Sequence, residues 1–169
     1  MKEPKITLKK ISFYERMSEE TNCFAADLYI NGKKVGEAKN DGQGGCTNYY
    51  GNSIENNEVI RQAEMYFKSL PMQTSEHGFN YKPSLEFAID DQFELYLKTK
   101  EEKRKLKLME TAILIGKPDS VSYMYFKQKR KLSDFPINIL QSFVSSLKAK
   151  YCTDGNVILN TNLKQLGIN

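Results

Sequence analysis

The chain has 169 residues, and 25 Lys and Arg against 21 Asp and Glu leave a formal net charge of +4. A hydrophobic content of 40% with nine Phe and ten Tyr excludes a disordered chain, and the length suffices for one α+β domain over residues 1–169 with a real core. No apolar run approaches the roughly 18 residues of a membrane span, and Met-Lys-Glu-Pro-Lys has no apolar leader, so the expectation is a cytoplasmic protein whose Cys23, Cys46 and Cys152 are reduced thiols.

Ile6 and Leu8 alternate, and Ile11 and Phe13 resume one residue out of phase, which predicts a strand over 5–14 with a bulge at Lys9-Lys10. Phe24, Ala26, Leu28 and Ile30 share a second strand face. Asn31-Gly32 then signals a type I′ hairpin, which sets Val35 opposite Leu28. A glycine-rich loop from Gly42 follows, with Tyr49 and Tyr50 as exposed anchors, and it opens a helix capped by Asn52 with Glu55 three residues on. Val59, Ile60, Ala63, Phe67 and Leu70 keep helical spacing up to Pro71.

Residues 71–82 read as irregular. Pro83-Ser84 starts a second helix with Leu85, Ile89, Phe93, Tyr96 and Leu97 on one stripe. Phe93, Leu95 and Leu97 also alternate, so a hairpin competes there; the Glu94–Lys98 and Glu101–Lys105 pairs favour one helix to about residue 109. Thr111–Gly116 is a buried strand and Val121–Lys127 an aromatic one. Pro136 introduces an amphipathic helix through Ile137, Leu140, Phe143, Val144 and Leu147, and Asn156–Leu159 is the last strand. The order βββ-α-α-ββ-α-β, without βαβ alternation, predicts an α+β fold with helices packed on an antiparallel sheet.

Motifs for catalysis are poor matches. Gly42-Gln-Gly-Gly-Cys-Thr47 lacks the lysine of a phosphate-binding Walker loop and the third glycine of a dinucleotide fingerprint. Cys46 has only His77 as a conceivable base, and no Cys-x-x-Cys pair offers a zinc site. Glu86, Asp90, Asp91 and Glu94 read as a solvated helix face, and neither Pro118-Asp119 nor Glu101-Glu102-Lys103 completes a nuclease pattern. No catalytic residue, metal site or cofactor is expected.

Charge is the better lead. Residues 1–97 hold 11 Lys and Arg against 15 Asp and Glu, net −4; residues 98–169 hold 14 against 6, net +8. Lys98, Lys100, Lys103, Arg104, Lys105 and Lys107 follow the acidic turn of the second helix, and Lys127, Lys129, Arg130 and Lys131 close the aromatic strand. If the strand lies beside the helix end, these make one basic surface near Tyr123, Tyr125 and Phe126, suited to nucleic acid or an acidic protein face, although much of the strand belongs to core. Tyr125 joins Tyr49 and Tyr50 among the candidate anchors.

Ser18-Glu-Glu-Thr-Asn22, Leu28-Tyr-Ile-Asn-Gly-Lys-Lys-Val-Gly36 and Gly42–Thr47, with Ile113-Leu-Ile-Gly-Lys-Pro-Asp119 and the tail from Cys152 to Gly167, resemble small proteins carried by phages and mobile elements of Bacteroidota. The resemblance spans most of the chain and carries over no catalytic residue. It implies an anti-CRISPR role: a non-enzymatic inhibitor acting in the host bacterial cytoplasm on an RNA-guided nuclease of type VI-B, through effector protein, guide RNA or both. A stand-alone RNA- or DNA-binding protein of a mobile element fits the same residues.

Overall fold

The structure is a computed structural model that describes residues 2–75, 78–118, 120 and 122–168. The expectations placed on His77, Asp119 and Val121 lie outside them. The fold is α+β, and the chain divides into two compact units, residues 1–97 and 98–169.

In the first unit β1 (Ile6–Phe13), β2 (Phe24–Ile30), β3 (Lys33–Asn40) and β4 (Asn48–Gly51) form an antiparallel sheet in that order. The bulge falls where the alternation slips: Lys9 pairs with Asp27 and Ser12 with Ala25, and Lys10 takes a φ of 50°. Asn31 and Gly32 have φ of 53° and 82°, as a type I′ turn requires. The register differs from expectation by one residue. Leu28 pairs with Gly36, because Val35 is the extra residue of a second bulge, though it remains fully buried. A Cβ at Gly36 would stand 1.9 Å from the Tyr50 carbonyl oxygen, so only glycine lets β4 approach β3.

β4 is thus a strand where a loop was expected. Helix α1 (Ile54–Ser69) is capped by Ser53, whose hydroxyl accepts from the Asn56 N–H, while Asn52 instead accepts from the Asn56 side chain. A two-residue ladder, β5 (Gln73–Thr74) with β6 (Asn80–Tyr81), occupies the segment read as irregular. Then α2 runs unbroken over Leu85–Met109, which removes the hairpin alternative. Ser84 Oγ accepts from the Phe87 N–H at its start. One core joins Phe24, Leu28, Val35 and Ala38 to Ile60 and Ala63 of α1 and Leu85, Ile89 and Phe93 of α2. Phe24 and Phe93 stack at 4.1 Å. Each Phe, Leu, Ile and Val among them contributes about 1.5–3 kcal/mol on leaving water.

The second unit contains Lys98–Met109 of α2, then β7 (Ala112–Gly116), β8 (Tyr123–Lys127), α3 (Ile137–Tyr151) and β9 (Val157–Ile158). The sheet order is β8-β7-β9, antiparallel throughout. All five residues of β7 are buried because both its faces are covered. Ala112 and Leu114 face Met109 of α2, whereas Ile113 and Ile115 face Leu140, Val144 and Leu147 of α3. The two-residue β9 is extended by a side chain: Asn160 Oδ1 accepts from the Leu114 N–H at 2.7 Å and Asn160 Nδ2 donates to the Ala112 carbonyl at 2.9 Å.

Candidate nucleic-acid interface

Placement on β8 sorts the aromatic residues by face. Phe126 packs on Tyr151 of α3 with ring centroids 4.7 Å apart. Tyr123 turns to α2, donating to Glu101 Oε1 at 2.9 Å with Lys105 Nζ 5.0 Å from its ring. Burial, then the Glu101 carboxylate, raise its phenol pKa above the ordinary value. Tyr125 lies on the same strand face two residues on and is 56% exposed. Of the three strand aromatics it alone is exposed.

Two hollows meet at Tyr125. One, of about 460 Å³, is lined by Arg104, Lys107, Leu108, Glu110, Thr111, Tyr125 and Lys127. The other, of about 490 Å³, is lined by Glu101, Arg104, Ser122, Tyr123 and Tyr125. Arg104 and Tyr125 belong to both. The first hollow carries three cations against one carboxylate, and the second one of each. The turn between α2 and β7 is held against the chain after β8 by Gln128 N–H donating to Thr111 O at 2.7 Å and Leu132 N–H donating to Glu110 O at 2.8 Å. That stapling brings Lys127 to the groove side of α2.

The other basic residues are deployed differently. Lys131 bonds Glu110 at 3.2 Å and Arg130 stacks over Phe135 at 4.1 Å. Lys105 is committed to the Tyr123 ring. Lys98, Lys100, Lys103 and Lys129 are exposed but line neither hollow. The anchors of the first unit sit on β4. Tyr49 is half-buried, its hydroxyl donating to Glu64 at 2.8 Å, and burial with that bond pushes its phenol pKa up. Tyr50 is 45% exposed, and its hydroxyl donates to Glu37 at 3.0 Å.

The glycine loop is a poor phosphate cradle. Four of its amides are already bonded: Gly42 N–H to Asn40 Oδ1, Gln43 N–H to Asp41, Gly44 N–H to Thr21 Oγ1 and Thr47 N–H to Glu86 Oε1. Gly42 adopts φ of 87°, and its carbonyl accepts from Glu19, Glu20 and Thr21. The hollow beside it, of about 430 Å³, is walled by Glu20, Glu86, Asp90 and Glu94, which repel an anion.

Glu86, Asp90 and Glu94 were expected, with Asp91, to form a solvated face, and instead strap loops to α2. Thr47 Oγ1 donates to Asp90 at 2.6 Å, and Asn22 Nδ2 donates to Glu94 at 3.2 Å. Burial raises the Asp90 pKa, and Glu86, Asp91 and Glu94 add to the rise against the opposing Thr47 bond. The cysteines are unpaired, with Cys46 exposed in this hollow. Among the described residues no group of His, Cys, Asp and Glu is placed to hold a metal ion, and no helix is long and apolar enough to cross a membrane. Comparison with protein-family models, curated proteins and solved structures finds no match to this chain.

Proposed function

We propose that the protein acts by binding, and that its ligand is single-stranded RNA engaged by the basic groove of the second unit. The observation that carries this reading is Tyr125, exposed between two adjacent hollows and flanked by Arg104, Lys107 and Lys127. A strand laid across the hollows places successive nucleotides on either side of the ring. The phenol stacks on a base, and the three cations meet phosphates and release counterions. A duplex hides the base faces that Tyr125 needs, so single strands are the preferred ligand.

In the cell this activity fits an inhibitor from a phage or mobile element that engages the guide or target RNA of a type VI-B CRISPR nuclease. The separation of net charge, −4 before residue 98 and +8 from there on, supports a division of labour in which the second unit meets RNA. A pulldown of the protein from cells expressing such an effector, with and without ribonuclease, tests the assignment. The effector complex is expected to copurify, and ribonuclease to release it. RNA binding without any effector reduces the assignment to a stand-alone RNA-binding protein. Retention after ribonuclease moves the primary contact to the effector protein.

A further inference from the structure

The outer edge of β8, which shares Tyr125 and Lys127 with the groove, is built to take another strand. The phase of the ladder fixes which groups face outward. Gln128 N–H donates to Thr111 O, so Phe126 and Met124, opposite Ile113 and Ile115, direct their backbone groups to β7. Leu114 points the other way, to Leu159 and Asn160, as this phase requires. The N–H and C=O groups of Tyr123, Tyr125 and Lys127 therefore face the open side, where the described residues add no further strand to the sheet.

The edges at β1, β4 and β9 carry protections that β8 lacks, and β5 and β6 have only two residues each. β1 is broken by its bulge, with Lys10 in the left-handed region. β4 has four residues, and β9 has two, continued by a side chain. β8 pairs with β7 in unbroken register over five residues, contains no proline, and exposes Met124 at 42% as well as Tyr125. Lysine, the usual guard of an edge, stands only at its end.

We infer that this edge docks an extended acidic segment of a partner protein by strand addition. Backbone bonds to Tyr123, Tyr125 and Lys127 set the register, and Met124 and Tyr125 receive side chains from alternate positions. Charge selects the occupant: Lys127, Lys129 and Arg130 at the strand's end, in a unit of net +8, attract carboxylates.

Amide hydrogen exchange of the full chain reads the docking directly, with a blocked heptapeptide of alternating Val and Glu as the probe. In the free protein the amides of Tyr123, Tyr125 and Lys127 are expected to exchange fast and those of Met124 and Phe126 slowly. Saturating peptide is expected to slow the first three at least tenfold. N-methylation at one set of alternate peptide positions should abolish that protection and at the other set preserve it, and a Val-Lys heptapeptide should bind at least tenfold more weakly. Equal binding of both N-methylated peptides, or no slowing at the three amides, overturns the inference. So does protection of those amides in the peptide-free protein, whether by a second copy or from within the chain. Single-stranded RNA is expected to leave them fast. RNA binding without peptide protection therefore sinks strand addition alone, and protection without RNA binding sinks the groove reading alone.

Discussion

Glu101 holds Tyr123 and Arg104 at once: its Oε1 accepts from the Tyr123 hydroxyl at 2.9 Å while its Oε2 meets the Arg104 guanidinium at 3.3 Å. One carboxylate on α2 thus ties β8 to the helix and steers the arginine toward the hollows that flank Tyr125. The ion pair is largely exposed and contributes little to stability, so its effect is positional. In Glu101→Ala, the Tyr123 phenol is expected to titrate closer to its ordinary value in a spectrophotometric titration. Unfolding stability should fall by about 1 kcal/mol for the lost hydrogen bond.

Tyr125→Ala removes the one exposed ring in the groove. RNA affinity should drop by about 1–3 kcal/mol, the range for a single base stacked on an aromatic side chain. Stability should change by less than about 0.5 kcal/mol, because the ring is more than half exposed. Fluorescence anisotropy with a labelled oligouridine, beside a urea melt, separates the two effects.

Asn160→Ala tests the side-chain extension of β9. The substitution strips partners from the Leu114 N–H and the Ala112 carbonyl in a fully buried strand. An unsatisfied buried backbone group costs about 1–3 kcal/mol, so a loss of about 2 kcal/mol or more is expected in denaturant unfolding. A loss under about 0.5 kcal/mol would show that water replaces the amide.

Local pattern carried much of this fold and little of its long-range pairing. The Lys9-Lys10 bulge was visible as a phase slip, and the hairpin as Asn-Gly, because each is a short-range consequence of backbone geometry. One helix over 85–109, expected from its Glu–Lys spacing, is observed despite the alternation of Phe93, Leu95 and Leu97. The strand β4 was hidden because Asn48-Tyr-Tyr-Gly51 offers no apolar contrast, and its existence rests on Gly36 in another strand. Val35 was displaced by a bulge that no residue type announces. For the site, charge marked two segments, 98–107 and 127–131, and the fold separates Arg104, Lys107 and Lys127 in the groove from Lys105, Arg130 and Lys131, whose partners are Tyr123, Phe135 and Glu110. That Tyr49 is half-buried and bonded to Glu64 was not legible, because Glu64 is contributed by α1.

Asp90 gives the first unit a pH signature. Its native pKa is raised by burial and by Glu86, Asp91 and Glu94, so protonation is favoured in the folded state. The stability this supplies is fully present below the ordinary aspartate value, near 4, and is lost as pH rises through the elevated native value. Asp90→Asn stays neutral and still accepts from Thr47. It is expected to gain stability relative to the wild type between about pH 4 and pH 7, and to gain nothing below that window. Paired thermal melts across this range provide the check.

The groove assignment rests on phosphate contacts by three cations, and the salt dependence of RNA binding counts them. For a single strand, each phosphate contact adds about 0.7 to the slope of log affinity against log salt. The triple variant Arg104→Ala, Lys107→Ala, Lys127→Ala, compared with the wild type on the same oligouridine, is expected to lose about 2 from that slope and most of its affinity at low salt. An unchanged slope and affinity in the triple variant would contradict the groove as the RNA-binding surface.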